Sequence, residues 1–346
     1  MPPRRALLAA PLLLAARPAR AERLVADATG RRIAVPDRIA RVFPAGPPAA
    51  ILLYTIAPDL LVGWPARPPR SAEAAFMLPE AAALPEIGRL TGRDNSANVE
   101  AVLAQRPDLV LDYGSVRPVF VSLAERVQAQ TGLPTVQLDG ALGKIPETYR
   151  LLGAILDRRE AAEARAAVAE RILAEAVAGA ATLRARTRPR VLYVRGPRGL
   201  ETGVAGSINT EIIEFAGAEN VAASALGAGS LVPISMEQVL AWNPDWVIGI
   251  HPDFLAHAKA DRLWGALPAV RAGRVVLAPS LPFGWVDFPP AVNRLLGLLW
   301  LQVLFGLRPA AGLAEAVADF QALFYHRRPS AAQIEALLRP ALPNRA

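Results

Sequence analysis

The stretch NVEAVLAQRPDLVLDYG, residues 98–114, reads as a short helix that runs into a strand, and the chain repeats the pattern as SMEQVLAWNPDWVIGIHP at 235–252. Glu100, Val102, Leu103, Ala104, Pro107 and Asp108 return as Glu237, Val239, Leu240, Ala241, Pro244 and Asp245, at a constant offset of 137 residues. Asn98 or Ser235 can cap the helix start. Pro107 or Pro244 ends the helix, because proline disfavours helical geometry in the residue before it. The apolar run after each Asp then enters a sheet. Such units are common in α/β proteins, but six identical positions at one offset point to two related lobes.

The surroundings of each copy agree. Candidate strands lie at 41–43, 61–64, 108–113 and 135–138, with helical segments at 47–57, 96–105 and 117–131. Strands resume at 190–195, 245–250 and 274–278, with helices at 208–217, 235–242, 254–264 and 290–306 and a terminal pair split at Pro329. Such alternation predicts mainly parallel sheets. Between the two series, 147–187 has no proline and is dense in Ala, Leu, Glu and Arg, which predicts a long helix. Unbroken, it would reach about 60 Å at 1.5 Å per residue; Gly153 and Gly179 are its candidate breaks. The expected fold is α/β: two Rossmann-like lobes joined by a single long backbone helix, with a ligand cleft between them. The divisions expected are a leader at 1–21, an N-terminal lobe at 22–145, the linking helix at 146–187, and a C-terminal lobe with terminal helices at 188–346.

The 346 residues, 53% hydrophobic and 20% charged, suffice to fill two cores and exclude global disorder. The absence of cysteine excludes thiol nucleophiles, thiolate metal sites and disulfides. Arg4-Arg5, the apolar stretch 6–16 and Ala19-Arg20-Ala21 form a secretory leader, with cleavage before Glu22. Eleven apolar residues are too few to span a bilayer, and no cysteine is present to carry a lipid. The later run LLGLLWLQVLFGL, 295–307, is likewise too short and reads as a buried helix. An exported protein in a bacterial periplasm is expected. The net charge of +7 includes four arginines of the leader, and no basic stripe of the kind that binds nucleic acid remains.

Enzyme signatures are missing. GVAGSIN, 203–209, lacks the second glycine of a nucleophile elbow, and LGAGSLV, 226–232, fails as a dinucleotide or phosphate loop. With three histidines in the chain, a nucleophile–base–orienter set is hard to assemble; only an exported carboxylate-dependent hydrolase remains as an enzyme alternative. No cofactor is expected.

The motif E-x-V-L-A-x-x-P-D-x-V in both halves resembles the periplasmic substrate-binding proteins of ABC importers for iron–siderophore complexes and cobalamin. VPDRIARVFPAG (35–46), GRLTGRDNSANVE (88–100) and INTEIIEFAGAENVA (208–222) are similar to further segments of that family, and the likeness covers nearly all of 30–325. It implies two lobes bridged by one helix, small closure motions, and no catalysis. It also implies a membrane permease partner met by one acid on each lobe, at positions matching Glu100 and Glu237. The ligand implied is an iron(III)–siderophore or similar metal chelate, with cobalamin, haem, molybdate or tungstate as alternatives, and a monomer is the default state.

Ligands of open α/β sheets sit beyond the carboxyl ends of strands, which nominates 43–46, 113–115 and 139–140 in the first lobe. In the second it nominates 195–196, 205–207, 251–252 and 282–287. Arg195 offers a planar fork for an anionic group, or an ion pair within its lobe. Tyr113 and Trp285 offer flat contacts to a bulky chelate, or core packing. His251 could complete the coordination of chelated iron, or bond its own loop. Arg294, in the first turn after Pro289-Pro290, could receive an anion, or pair with Asp287. Direct metal binding is not expected, since His251, His257 and His326 are too few for a preformed cage.

Overall fold

The computed structural model describes residues 21–91 and 99–343. Residues 1–20 of the leader and the Asn98 cap therefore fall outside the described residues.

Two sheets organise the chain. In the first half, Val42–Pro44, Leu109–Gly114 and Thr135–Asp139 lie parallel, with Leu109–Gly114 in the middle. An antiparallel hairpin, Glu22–Ala26 with Arg32–Pro36, precedes them. In the second half, Val275–Leu277, Trp246–Gly249, Arg190–Val194 and Glu219–Asn220 are parallel neighbours in that order. The expected strand at 61–64 forms only isolated bridges, Leu61 to Val42 and Trp64 to Glu86. Proline at 65 follows immediately and interrupts any ladder.

The repeated unit folds alike in both places, down to its backbone. Arg106 (φ 47°) and Asn243 (φ 42°) end their helices in the left-handed region. Pro107 and Pro244 then prevent continuation. The Asp108 carboxylate accepts from the amides of Ala40 (2.8 Å) and Arg41 (3.0 Å), and Asp245 accepts from Arg190 (2.9 Å). Each aspartate thus satisfies backbone donors where the neighbouring strand begins. The Pro-Asp pair is a helix stop fused to a strand cap.

The proline-free stretch is two helices, a correction to the single rod expected over 146–187. Ile145–Leu156 has 12 residues and Arg159–Arg184 has 26, so the longer one extends about 39 Å. Asp157, left-handed at φ 55°, turns the chain between them, and neither Gly153 nor Gly179 breaks a helix. Gly153 instead lies directly against Ala162, and Arg150 pairs with both Glu163 (2.7 Å) and Glu170 (2.6 Å). The shorter helix therefore folds back along the first part of the longer one. The longer helix, buried at Ala166, Ala169, Ile172 and Ala176, continues until Gly179 meets Leu307 of the second half.

A second connection runs the other way. The terminal helix Leu313–Phe324 was expected to belong to the second lobe, but the chain leaving it packs on the first. Tyr54 donates to the Tyr325 carbonyl (2.8 Å), His326 bonds the Tyr54 carbonyl (3.0 Å), and Arg165 donates to the Leu323 carbonyl (2.7 Å). Phe283, from a loop of the second half, packs its ring against Tyr54, Trp64 and Tyr325. Farther on, Trp300 donates to the Ala341 carbonyl (2.9 Å), returning the chain end to the second half. Among the described residues no helix is long and apolar enough to cross a membrane.

Candidate ligand cleft

Because all strands of each main sheet are parallel, each presents its carboxyl ends along one edge. A buried clasp ties the edge of the first sheet to the second half. Arg294, with no exposed surface, donates to the Gly140 carbonyl past the end of Thr135–Asp139 (2.6 Å) and to the Ile208 carbonyl (3.2 Å). It also pairs with Glu211 and donates to the Ala291 carbonyl (3.0 Å). Glu211 in turn accepts from the Leu142 amide of the first half (2.8 Å). Arg294 was expected to receive an anionic ligand or to pair with Asp287. All three guanidinium nitrogens have protein partners instead of Asp287: Nη2 reaches Gly140 of the first half, while Nε and Nη1 bond within the second.

Tyr113 belongs beneath this clasp. It is 2% exposed, and burial pushes its pKa up to about 12 although the Arg294 guanidinium beside its hydroxyl acts the other way. Its ring packs within the main apolar cluster. Trp285 likewise is fully buried in the main apolar cluster.

Above the clasp, Arg195 follows the strand Arg190–Val194. Its Nε lies 3.6 Å from Asp287 and 3.7 Å from Glu201, so two carboxylates offset its charge. Asp287 is 1% exposed and heavily bonded. It accepts from the Tyr193 hydroxyl, from Asn209 Nδ2 (2.7 Å) and from the Phe288 amide (2.6 Å). Burial and the adjacent carboxylate push the Tyr193 hydroxyl well above its ordinary range. The guanidinium of Arg195 stands 5.6 Å from the centroid of the Phe288 ring. That ring is 69% exposed.

His251 does not join this group in any recorded contact. Its Nδ1 accepts from the Asp253 amide (3.3 Å), a bond within its own turn. Among the described residues no cluster of three or more His, Asp and Glu is disposed to hold a metal.

Sequence reasoning passed over Asp112, a carboxylate inside the apolar strand LVLDYG. It is 7% exposed and accepts from Thr91 Oγ1 (3.3 Å). Gly46 permits this approach, since a Cβ there would stand 2.6 Å from the same hydroxyl. Burial pushes Asp112 up from the ordinary 3.8 to about 6. The fold therefore favours the neutral acid, and this group's contribution to stability falls as pH rises from about 4 to 6, by up to about 3 kcal/mol. Asp112→Asn should raise stability to unfolding at pH 7.5 and change it little at pH 4.5. Denaturant titrations at both pH values check this, and an equal effect at the two would contradict the assignment.

Glu100 and Glu237 are both exposed and lie in the first turns of Val99–Ala104 and Met236–Trp242. Ser235 caps the second helix by accepting from Gln238 (3.3 Å), and its hydrogen bond holds the Glu237 carboxyl below the ordinary range.

A groove of about 900 Å³ lies elsewhere, along the helices Leu313–Phe324 and Ala331–Leu338, and includes none of the strand-end residues. The functional reading rests on the strand ends instead.

Two parallel α/β sheets, a long connecting helix and a buried clasp make up the architecture of a two-lobed binding protein. Residues 77–281 match the periplasmic binding protein family, and the chain belongs to it. The chain is 26% identical over 337 residues to the molybdate-binding protein MolA of Haemophilus influenzae, covering 88% of this chain and 91% of that one. It is 30% identical over 257 residues to a cobalamin-binding protein of Halobacterium salinarum, covering 71% and 63%. An ABC transporter solute binding protein from Sulfurospirillum deleyianum superposes with a TM-score of 0.83 at 27% identity, over 92% of this chain and 99% of that one. The family is one of solute-binding proteins and not of enzymes.

Proposed function

We propose that the protein is the periplasmic component of an ABC importer, capturing a metal chelate of the iron(III)–siderophore or corrinoid kind and delivering it to an inner-membrane permease. The leader read in 1–21 would carry it across the inner membrane and leave Glu22 first. The observation that supports a bulky chelate is the state of the cleft's cations. Arg195 is offset by Asp287 and Glu201, and Arg294 is spent on Glu211 and on carbonyls of both lobes. Neither leaves the cluster of open donors that a small oxyanion needs to replace its water. Glu100 and Glu237, at matched positions of the repeated unit, are the proposed contacts to the permease.

A second reading, an oxyanion receptor, draws on the Haemophilus influenzae relative named for molybdate. Thermal unfolding with ferric catecholate and hydroxamate siderophores, cyanocobalamin, haemin, molybdate and tungstate separates the two. A ligand at 100 times its Kd should stabilise the fold by about 2.7 kcal/mol. A response to a chelate is expected. A response to molybdate or tungstate alone would replace the chelate reading, and silence toward every compound would remove the receptor role.

A further inference from the structure

We propose that Phe288 is a specificity-determining residue of this cleft, a fixed aromatic plate that takes the flat, electron-rich face of a metal chelate. This rests on the reading that the space beyond the two sheets' strand ends holds the solute.

Phe288 is the only aromatic among the exposed large hydrophobic side chains of the described residues. Its backbone is also strained, with φ 68°, a left-handed conformation that bulky side chains rarely adopt. Such strain persists only where surrounding structure over-determines it, and it clusters at functional sites. Here the over-determination is visible. The Phe288 amide donates to buried Asp287 (2.6 Å), and Asn209, Tyr193 and Arg195 hold the same carboxylate from other sides. Gly284 lies so close to the Asp287 carbonyl that any Cβ would collide with it. Asn293 closes the loop by donating to the carbonyls of Gly284 and Pro289. An incidental surface phenylalanine needs none of this scaffolding. What the network fixes is the backbone from which this ring projects into solvent beside Arg195.

The placement of Arg195 selects the partner. With a guanidinium 5.6 Å from the ring centroid, the ring's π density is drawn toward that cation. The opposite face becomes electron-poor, and stacks best on an electron-rich plane such as a catecholate ring or a tetrapyrrole. A tetrahedral oxyanion has no plane to offer.

The test uses the full mature chain with four probes: the iron(III) complex of 2,3-dihydroxybenzoate, cyanocobalamin, haemin and molybdate. Affinity is followed by quenching of the intrinsic tryptophan fluorescence. The wild type should bind a planar probe. Phe288→Ala and Phe288→Leu should each weaken it by about tenfold, while Phe288→Trp should retain it. Because the side chain is exposed, melting temperatures should stay close to wild type, and Phe288→Gly, which relieves the left-handed strain, should be at least as stable. If Ala and Leu variants keep the wild-type Kd within about twofold, Phe288 is not the plate although the receptor role stands. Binding of molybdate alone overturns the planar-ligand claim, and a wild type that binds no probe removes the cleft reading on which it rests.

Discussion

Replacing Arg294 by alanine should destabilise the protein by about 3–5 kcal/mol, toward the lower end because Glu211 keeps some contact with water. The side chain is wholly buried, and its removal leaves the Gly140 and Ile208 carbonyls without this donor and Glu211 with the Leu142 amide but no cation. Arg294→Lys should recover only part of the loss, since an ammonium cannot reproduce a planar fork that reaches both lobes. The double change Arg294→Met with Glu211→Leu should do better than Arg294→Ala, because it removes both charges together. Denaturant midpoints for the series measure the effect. A loss below about 1 kcal/mol for Arg294→Ala would mean that the clasp is an ornament of the closed core and not a tie between halves.

Reversing Glu100 and Glu237 together to lysine should reduce solute uptake by whole cells more than about tenfold while leaving solute affinity unchanged. The two acids occupy the same position of the repeated unit, on exposed first turns, one on each half. Charges at such rims govern the encounter and its register more than the depth of binding. Each single reversal should give a partial defect. The effect on folding should be small, since an acid near a helix start contributes about 0.3–1 kcal/mol. Uptake that survives the double reversal would refute docking through these residues, and a matching collapse of affinity would move them into the fold or the pocket.

The parts of this architecture that sequence reveals are those governed by near neighbours. Buried parallel strands are nearly continuous apolar runs, so 109–114, 135–139, 190–194 and 246–249 stand out to within a residue or two. The Pro-Asp pairs show because stop and cap are adjacent. The break at Asp157 is invisible for the same reason, since helix-forming composition is equally strong on both sides of a single left-handed residue. In the loop 282–289 Trp285 is buried and Phe288 exposed, and sequence singled out only the former. Which of them turns outward depends on Gly284 meeting Asp287 and on Asp287 meeting Tyr193, 94 residues away. The return of the terminal segment to Tyr54 spans 271 residues, beyond any local pattern. Arg294 was singled out, but its partners at Gly140 and Glu211 lie 154 and 83 residues distant.

That return has a mechanical outcome. Joined by a single shaft, two bodies can twist about it as well as nod. Joined at a second place beside that shaft, as at Tyr54 and Tyr325, where Arg165 of the long helix also holds the Leu323 carbonyl, they keep a narrower swing. Little conformational freedom is then left to freeze when cargo arrives, so affinity is spared that penalty. The corollary is that release cannot come from a wide spontaneous gape, and the membrane partner must do work on the receptor to empty it.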